Sequence, residues 1–161
     1  MADRKNLYAF MSTLALAGCQ NNQLSYQEFF EKLNPLDKVY LITETDGRPS
    51  SPPNPNKVPQ KRTLTDSVLE NYVDKNSLYA QSALRFAEDF QKYGFKESSL
   101  SIREYNPAMP HNTIGYPSFE PRPKNIVIAR ELDEKLLRDI REIHTLAKIW
   151  QIKDNKIEEI K

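Results

Sequence analysis

The sequence predicts an α+β domain: a small three-stranded sheet packed by helices, with two long proline-rich irregular arms. Three observations carry that expectation. Short β-branched and aromatic runs occur at 38–45 (KVYLITET), 99–105 (SLSIREY) and 125–130 (NIVIAR). Apolar residues recur at helical spacing from Ser77 to Tyr93 and again after Asp133. All of the eleven prolines except Pro35 fall in two segments, 48–62 and 106–124.

Each element has its own warrant. Ser25-x-x-Glu28 is a capping box, so a helix opens there and runs to about Leu33, where Asn34-Pro35 turns the chain. The strand at 38–45 follows and is ended by Asp46-Gly47. RPSSPPNPNKVPQKR, 48–62, has no helical or alternating pattern and reads as an extended, solvated arm. A short helix is expected from Thr65 to about Val73. A longer one spans Ser77 to Tyr93, with Tyr79, Ala83, Phe86, Ala87 and Phe90 on one side and Gly94 as its stop. In 99–105, Leu100 and Ile102 alternate with polar residues, as in a half-buried strand.

The second arm, 106–124, is NPAMPHNTIGYPSFEPRPK. The strand at 125–130 comes next and is expected to pair antiparallel with that at 99–105 across this loop. Asp133 then caps a last helix whose face is Leu136, Ile140, Ile143, Ala147 and Trp150, and the final eleven residues extend it. One domain, 25–161, therefore carries both arms.

Composition bounds the function. At 161 residues, with 39% hydrophobic and 28% charged side chains, the chain is long enough for a buried core and globular in balance. Its 23 basic and 22 acidic residues nearly cancel, so no global charge draws it to nucleic acid. Lys57, Lys61 and Arg62 form a small basic cluster with no second cluster or interleaved aromatic row beside it.

Motifs for chemistry are missing from the sequence. HExxH, CxxC, P-loop and GxSxG patterns do not occur. His111 sits in the second arm, and His144 falls on the last expected helix, where packing at the core edge is the simplest role. The acidic pairs Glu88-Asp89, Asp133-Glu134 and Glu158-Glu159 read as solvated helix faces. No catalytic residue, metal, cofactor, nucleic acid or small-molecule ligand is therefore assigned, and the chain is read as a non-enzyme that binds protein partners. The arms are its binding elements, because loops this long are uncommon in a compact domain unless they have a job. Met109, Ile114, Tyr116 and Phe119 are the partner-binding candidates, being apolar groups that a solvated linker does not need. An alternative is a hydrolase or a lysozyme-inhibitor-like binder using the same loop.

The N-terminus holds the most specific signal. LYAFMSTLALAG, Leu7 to Gly18, is uncharged, follows Arg4 and Lys5, and ends at Cys19, the one cysteine of the chain. A basic start, a short apolar run and small residues before a cut describe a secretory signal. Leu16-Ala17-Gly18-Cys19 resembles the bacterial lipobox. The resemblance implies that residues 1–18 are removed, that the Cys19 thiol carries diacylglycerol, and that 19–24 form a tether. Gln20, where aspartate would retain a lipoprotein at the inner membrane, implies the outer membrane and its periplasmic face.

Two other readings bear on the same stretch. Asn21 to Phe29 is similar to the end of an EF-hand loop, but with Glu28 at position twelve the first and third positions are Ala17 and Cys19, so calcium is not expected. The stripe Leu7, Phe10, Met11, Leu14 and Leu16 also suits an uncleaved helix. The chain would then be a soluble subunit of a larger assembly, with its arms on neighbouring subunits.

Overall fold

The structure is a computed structural model, and it describes residues 23–44, 63–105 and 122–161. Six strands form one mixed sheet. In chain order the elements are β1 Gln23–Leu24, α1 Tyr26–Lys32, β2 Val39–Thr43, α2 Leu64–Leu69, α3 Leu78–Lys92, a 3-10 turn at Glu97–Ser99, β3 Leu100–Glu104, β4 Asn125–Ala129, α4 Glu134–Ile143, β5 Lys148–Lys153 and β6 Lys156–Ile160. The sheet order is β1-β6-β5-β4-β2-β3. The chain is α+β overall, but the expected three-stranded sheet is corrected to six strands.

Strand pairing departs from expectation as well. β2 pairs parallel with both β3 and β4, and β4 pairs parallel with β5. β3 and β4 do not meet antiparallel, because β2 lies between them. All five residues of β2 and all five of β4 are buried. Such strands are covered on both faces, as central parallel strands are.

The cover comes from helices on both sides. On one face Tyr26, Phe29 and Phe30 of α1, Leu64 and Val68 of α2, and Ala83, Phe86 and Phe90 of α3 pack on Val39, Leu41, Val127 and Trp150. On the other, Leu136 and Ile140 of α4 pack on Tyr40, Ile42, Ile126, Ile128 and Ile149. Odd and even positions of each strand thus serve different cores. Rings link the first core, with Phe29 edge-on to Trp150 at 5.0 Å and Phe30 at 5.1 Å from Phe86.

Local signals set the helix ends. The capping box forms as read: the Ser25 backbone N–H donates to Glu28 Oε2 at 2.7 Å, and the Glu28 N–H donates back to Ser25 Oγ. Gly94 ends α3 at φ +80. The Phe95 N–H reaches the Phe90 carbonyl at 3.3 Å, and the two rings stack at 4.9 Å, a helix stop sealed by an apolar contact.

The chain after Ile143 is the largest correction. α4 stops at His144, and the Ala147 N–H donates to the His144 carbonyl to close a turn. Lys148–Lys153 and Lys156–Ile160 then form an antiparallel hairpin in place of the expected helical extension. Asp154 and Asn155 turn it with φ of 50° and 57°. Both central residues of a two-residue hairpin loop need positive φ, and Asp and Asn bear it better than other side chains with a Cβ. Gln23 and Leu24, placed in the tether, pair with this hairpin as β1.

Candidate functional site

Parallel pairing gives the sheet two distinct ends. β2, β3, β4 and β5 run the same way, so Thr43, Glu104, Ala129 and Lys153 all finish at one end. The order also reverses between β2 and β4. α2 and α3, which lead from β2 to β3, cover one face, while α4, which leads from β4 to β5, covers the other. The carboxyl end of such a switch point is where open α/β sheets hold their ligands.

Three side chains build this end. Tyr72, just beyond α2, is buried and donates its hydroxyl to the Ala129 carbonyl at 2.8 Å. Tyr105, directly after β3, is 1% exposed and donates to Asp139 Oδ2 of α4 at 2.9 Å. The Arg130 guanidinium, directly after β4, lies 5.2 Å from the centre of the Tyr105 ring. Its Nη1 reaches the Tyr105 carbonyl at 3.4 Å, and its Nη2 lies 3.8 Å from Asp133 Oδ2, the cap of α4. Burial pushes both tyrosine hydroxyls well above the ordinary tyrosine range, helped by the Glu44 carboxylate at Tyr72 and by Asp139 at Tyr105. These hydroxyls stay protonated and serve as fixed donors. The network locks the ends of β3 and β4 to α4.

β2 and β3 both end at this platform. Thr43 and Glu104 are register partners on neighbouring strands, and the described chain breaks off just after each, at Glu44 and Tyr105. It resumes at Thr63, the cap of α2, and at Arg122, before β4. Val73 and Leu78, each 62% exposed, add apolar surface around the α2–α3 junction that Tyr72 fastens to β4.

Every residue singled out from sequence as a site, Cys19, Met109, Ile114, Tyr116 and Phe119, lies outside the described residues, as does His111. His144 is buried at the end of α4, its ring edge-on to Tyr40 at 5.5 Å. Glu158 and Glu159, read as a helix face, are on strand β6. Sequence reading missed Tyr72, Tyr105 and Arg130. The available signal was position, since Tyr105 and Arg130 each follow a strand directly. Among the described residues no group of three or more His, Cys, Asp and Glu side chains could hold a metal, and no helix is long and apolar enough to cross a membrane.

The chain matches no protein-family model, no curated protein and no solved structure.

Proposed function

We propose that this chain is a non-catalytic lipoprotein of a Gram-negative envelope, anchored through Cys19 on the periplasmic face of the outer membrane. It serves as an accessory component that binds protein partners through its arms, with Met109, Ile114, Tyr116 and Phe119 as the contact groups. One diacylglycerol holds a protein only marginally, so an amide-linked third chain on Cys19 belongs to the proposal.

What supports this reading is the N-terminal sequence, where the one cysteine follows Leu16-Ala17-Gly18 at the close of an uncharged run behind Arg4 and Lys5. β1 is antiparallel to β6 and β6 to β5, so β1 points the same way as the parallel strands. Its register sets Gln23, four residues past Cys19, level with Glu158, Gln151 and Ile128, toward the carboxyl end of the sheet. The residues before the two arms, Glu44 and Tyr105, stand at this same end, while Lys124, the last residue of the second arm, leads into β4 at the amino end.

Intact mass of protein extracted from native membranes tests the anchor. A chain beginning at triacylated Cys19 is expected, and Cys19→Ser should block processing. An unmodified Met1 or Ala2 terminus would favour the soluble-subunit alternative. For the arms, Tyr116→Ala with Phe119→Ala should weaken partner capture in the envelope, and unchanged capture would remove the arm assignment.

A further inference from the structure

The amino end of the sheet carries an unusual pair of side chains. Leu36 is 86% exposed and Leu146 is 85% exposed, the two most exposed large apolar residues described. Each sits at the third position of a tight turn. In the first, the Asp37 N–H donates to the Asn34 carbonyl at 2.8 Å and the Leu36 N–H to Asn34 Oδ1 at 2.9 Å. In the second, the Ala147 N–H donates to the His144 carbonyl at 3.0 Å. Polar residues and glycine prefer such positions, because the turn aims the side chain at water. A single leucine there is ordinary. Two occur on turns leading into strands β2 and β5, which have only β4 between them and so lie about 10 Å apart at the same end of the sheet.

Cations gather at this end, between the two turns. A cavity of about 510 Å³ opens at this end, floored by Phe29 and Trp150 and reaching Leu146. Lys32, Arg122, Lys124 and Lys148 line it, and Asp37, paired with Lys124 at 3.1 Å, is the single acid among its lining residues. All four cations are exposed. Rigid turns that hold leucines outward within a basic rim match the interface of an anionic bilayer: apolar side chains enter the acyl boundary while lysine and arginine meet phosphates.

We infer that the amino end of the sheet is a membrane-docking face for anionic phospholipid, with Leu36 and Leu146 as its inserting residues and the Lys32, Arg122, Lys124 and Lys148 rim as its headgroup contacts. This rests on the anchored reading, which sets the domain beside a bilayer. It also fixes the orientation: the carboxyl end of the parallel strands, with Tyr105 and Arg130, faces away.

The test removes the anchor, so that the two ideas fail separately. Full-length Cys19→Ser protein is sedimented with phosphatidylethanolamine–phosphatidylglycerol vesicles and with phosphatidylcholine vesicles, at low and high salt. Binding to the anionic vesicles is expected, weakened by salt and at least roughly tenfold weaker to the neutral ones. Leu36→Asp with Leu146→Asp, and separately Lys124→Glu with Lys148→Glu, should each lower anionic-vesicle binding by at least about tenfold. All variants retain residues 7–18, so any binding by that segment is common to them. Both leucines are solvent-facing, and an unchanged circular dichroism melt confirms that the variants fold. Folded variants that bind like the parent, or a parent that binds neutral vesicles equally well, would overturn the assignment.

Discussion

The Trp150 indole N–H donates to Asn125 Oδ1 at 3.0 Å, and both side chains are buried. The bond joins β5 to β4 at the amino end of the sheet and forms part of the cavity floor there. It also answers a problem of the fold, because a buried indole N–H and a buried amide each need a partner.

Removing one partner leaves the other buried and unsatisfied. Asn125→Ala is expected to lower stability by about 1–3 kcal/mol. Adding Trp150→Phe to it should cost less than the two separate losses combined, because the unpaired donor disappears. Urea unfolding of both variants and the double variant, followed by circular dichroism, checks the coupling.

The hairpin turn is equally exposed to test. Asp154 has φ of 50°, where a β-branched residue is strained. Asp154→Val should cost roughly 1–2 kcal/mol, while Asp154→Gly should be neutral or stabilising. Thermal melts separate these outcomes. Equal behaviour of the two variants would mean that a different turn closes β5 and β6.

Tyr26 and Glu28 contribute to opposite pH limbs. Burial pushes the Tyr26 hydroxyl up to about 12, partly offset by Arg85, and it donates to the Ser82 carbonyl at 3.3 Å. A raised value in the fold contributes stability in full below the free tyrosine value of about 10. That contribution is lost as pH rises toward about 12. Glu28 is held below the usual carboxylate range by the Ser25 backbone N–H and then by its hydroxyl. Its contribution is present above the ordinary carboxylate value and is lost as pH falls through the lowered one. Tyr26→Phe should therefore make the alkaline limb shallower without removing it, since Tyr72 and Tyr105 also contribute there, and Glu28→Gln should make the acid limb shallower, in stability measured by Trp150 fluorescence across pH.

Element positions were largely legible from local chemistry. The capping box at Ser25, the stripe from Tyr79 to Phe90 and Gly94 each act within a few residues, and each element lies where they point. Sheet order was not legible from these signals, because pairing is set by contacts between distant segments. One clue was present: VYLIT and NIVIA are nearly unbroken apolar runs, the mark of parallel strands buried on both faces.

The α4–β5 boundary failed for a definite reason. Leu136, Ile140, Ile143, Ala147 and Trp150 keep three- and four-residue spacing across the turn at His144–Ala147, which contains neither Gly nor Pro. The alternation in KIWQIK and the Asp154-Asn155 turn were the competing signals, and a turn without glycine concealed the hairpin. Tyr72, Tyr105 and Arg130 could not be grouped before the order of β2, β3 and β4 was known.

The chemical state of Cys19 tests the central claim most directly. Mass spectrometry of the protein extracted from native membranes should find a chain that begins at Cys19 and carries three acyl chains. A native protein that retains Met1 or Ala2, with an unmodified thiol, would contradict the anchor and the envelope location together.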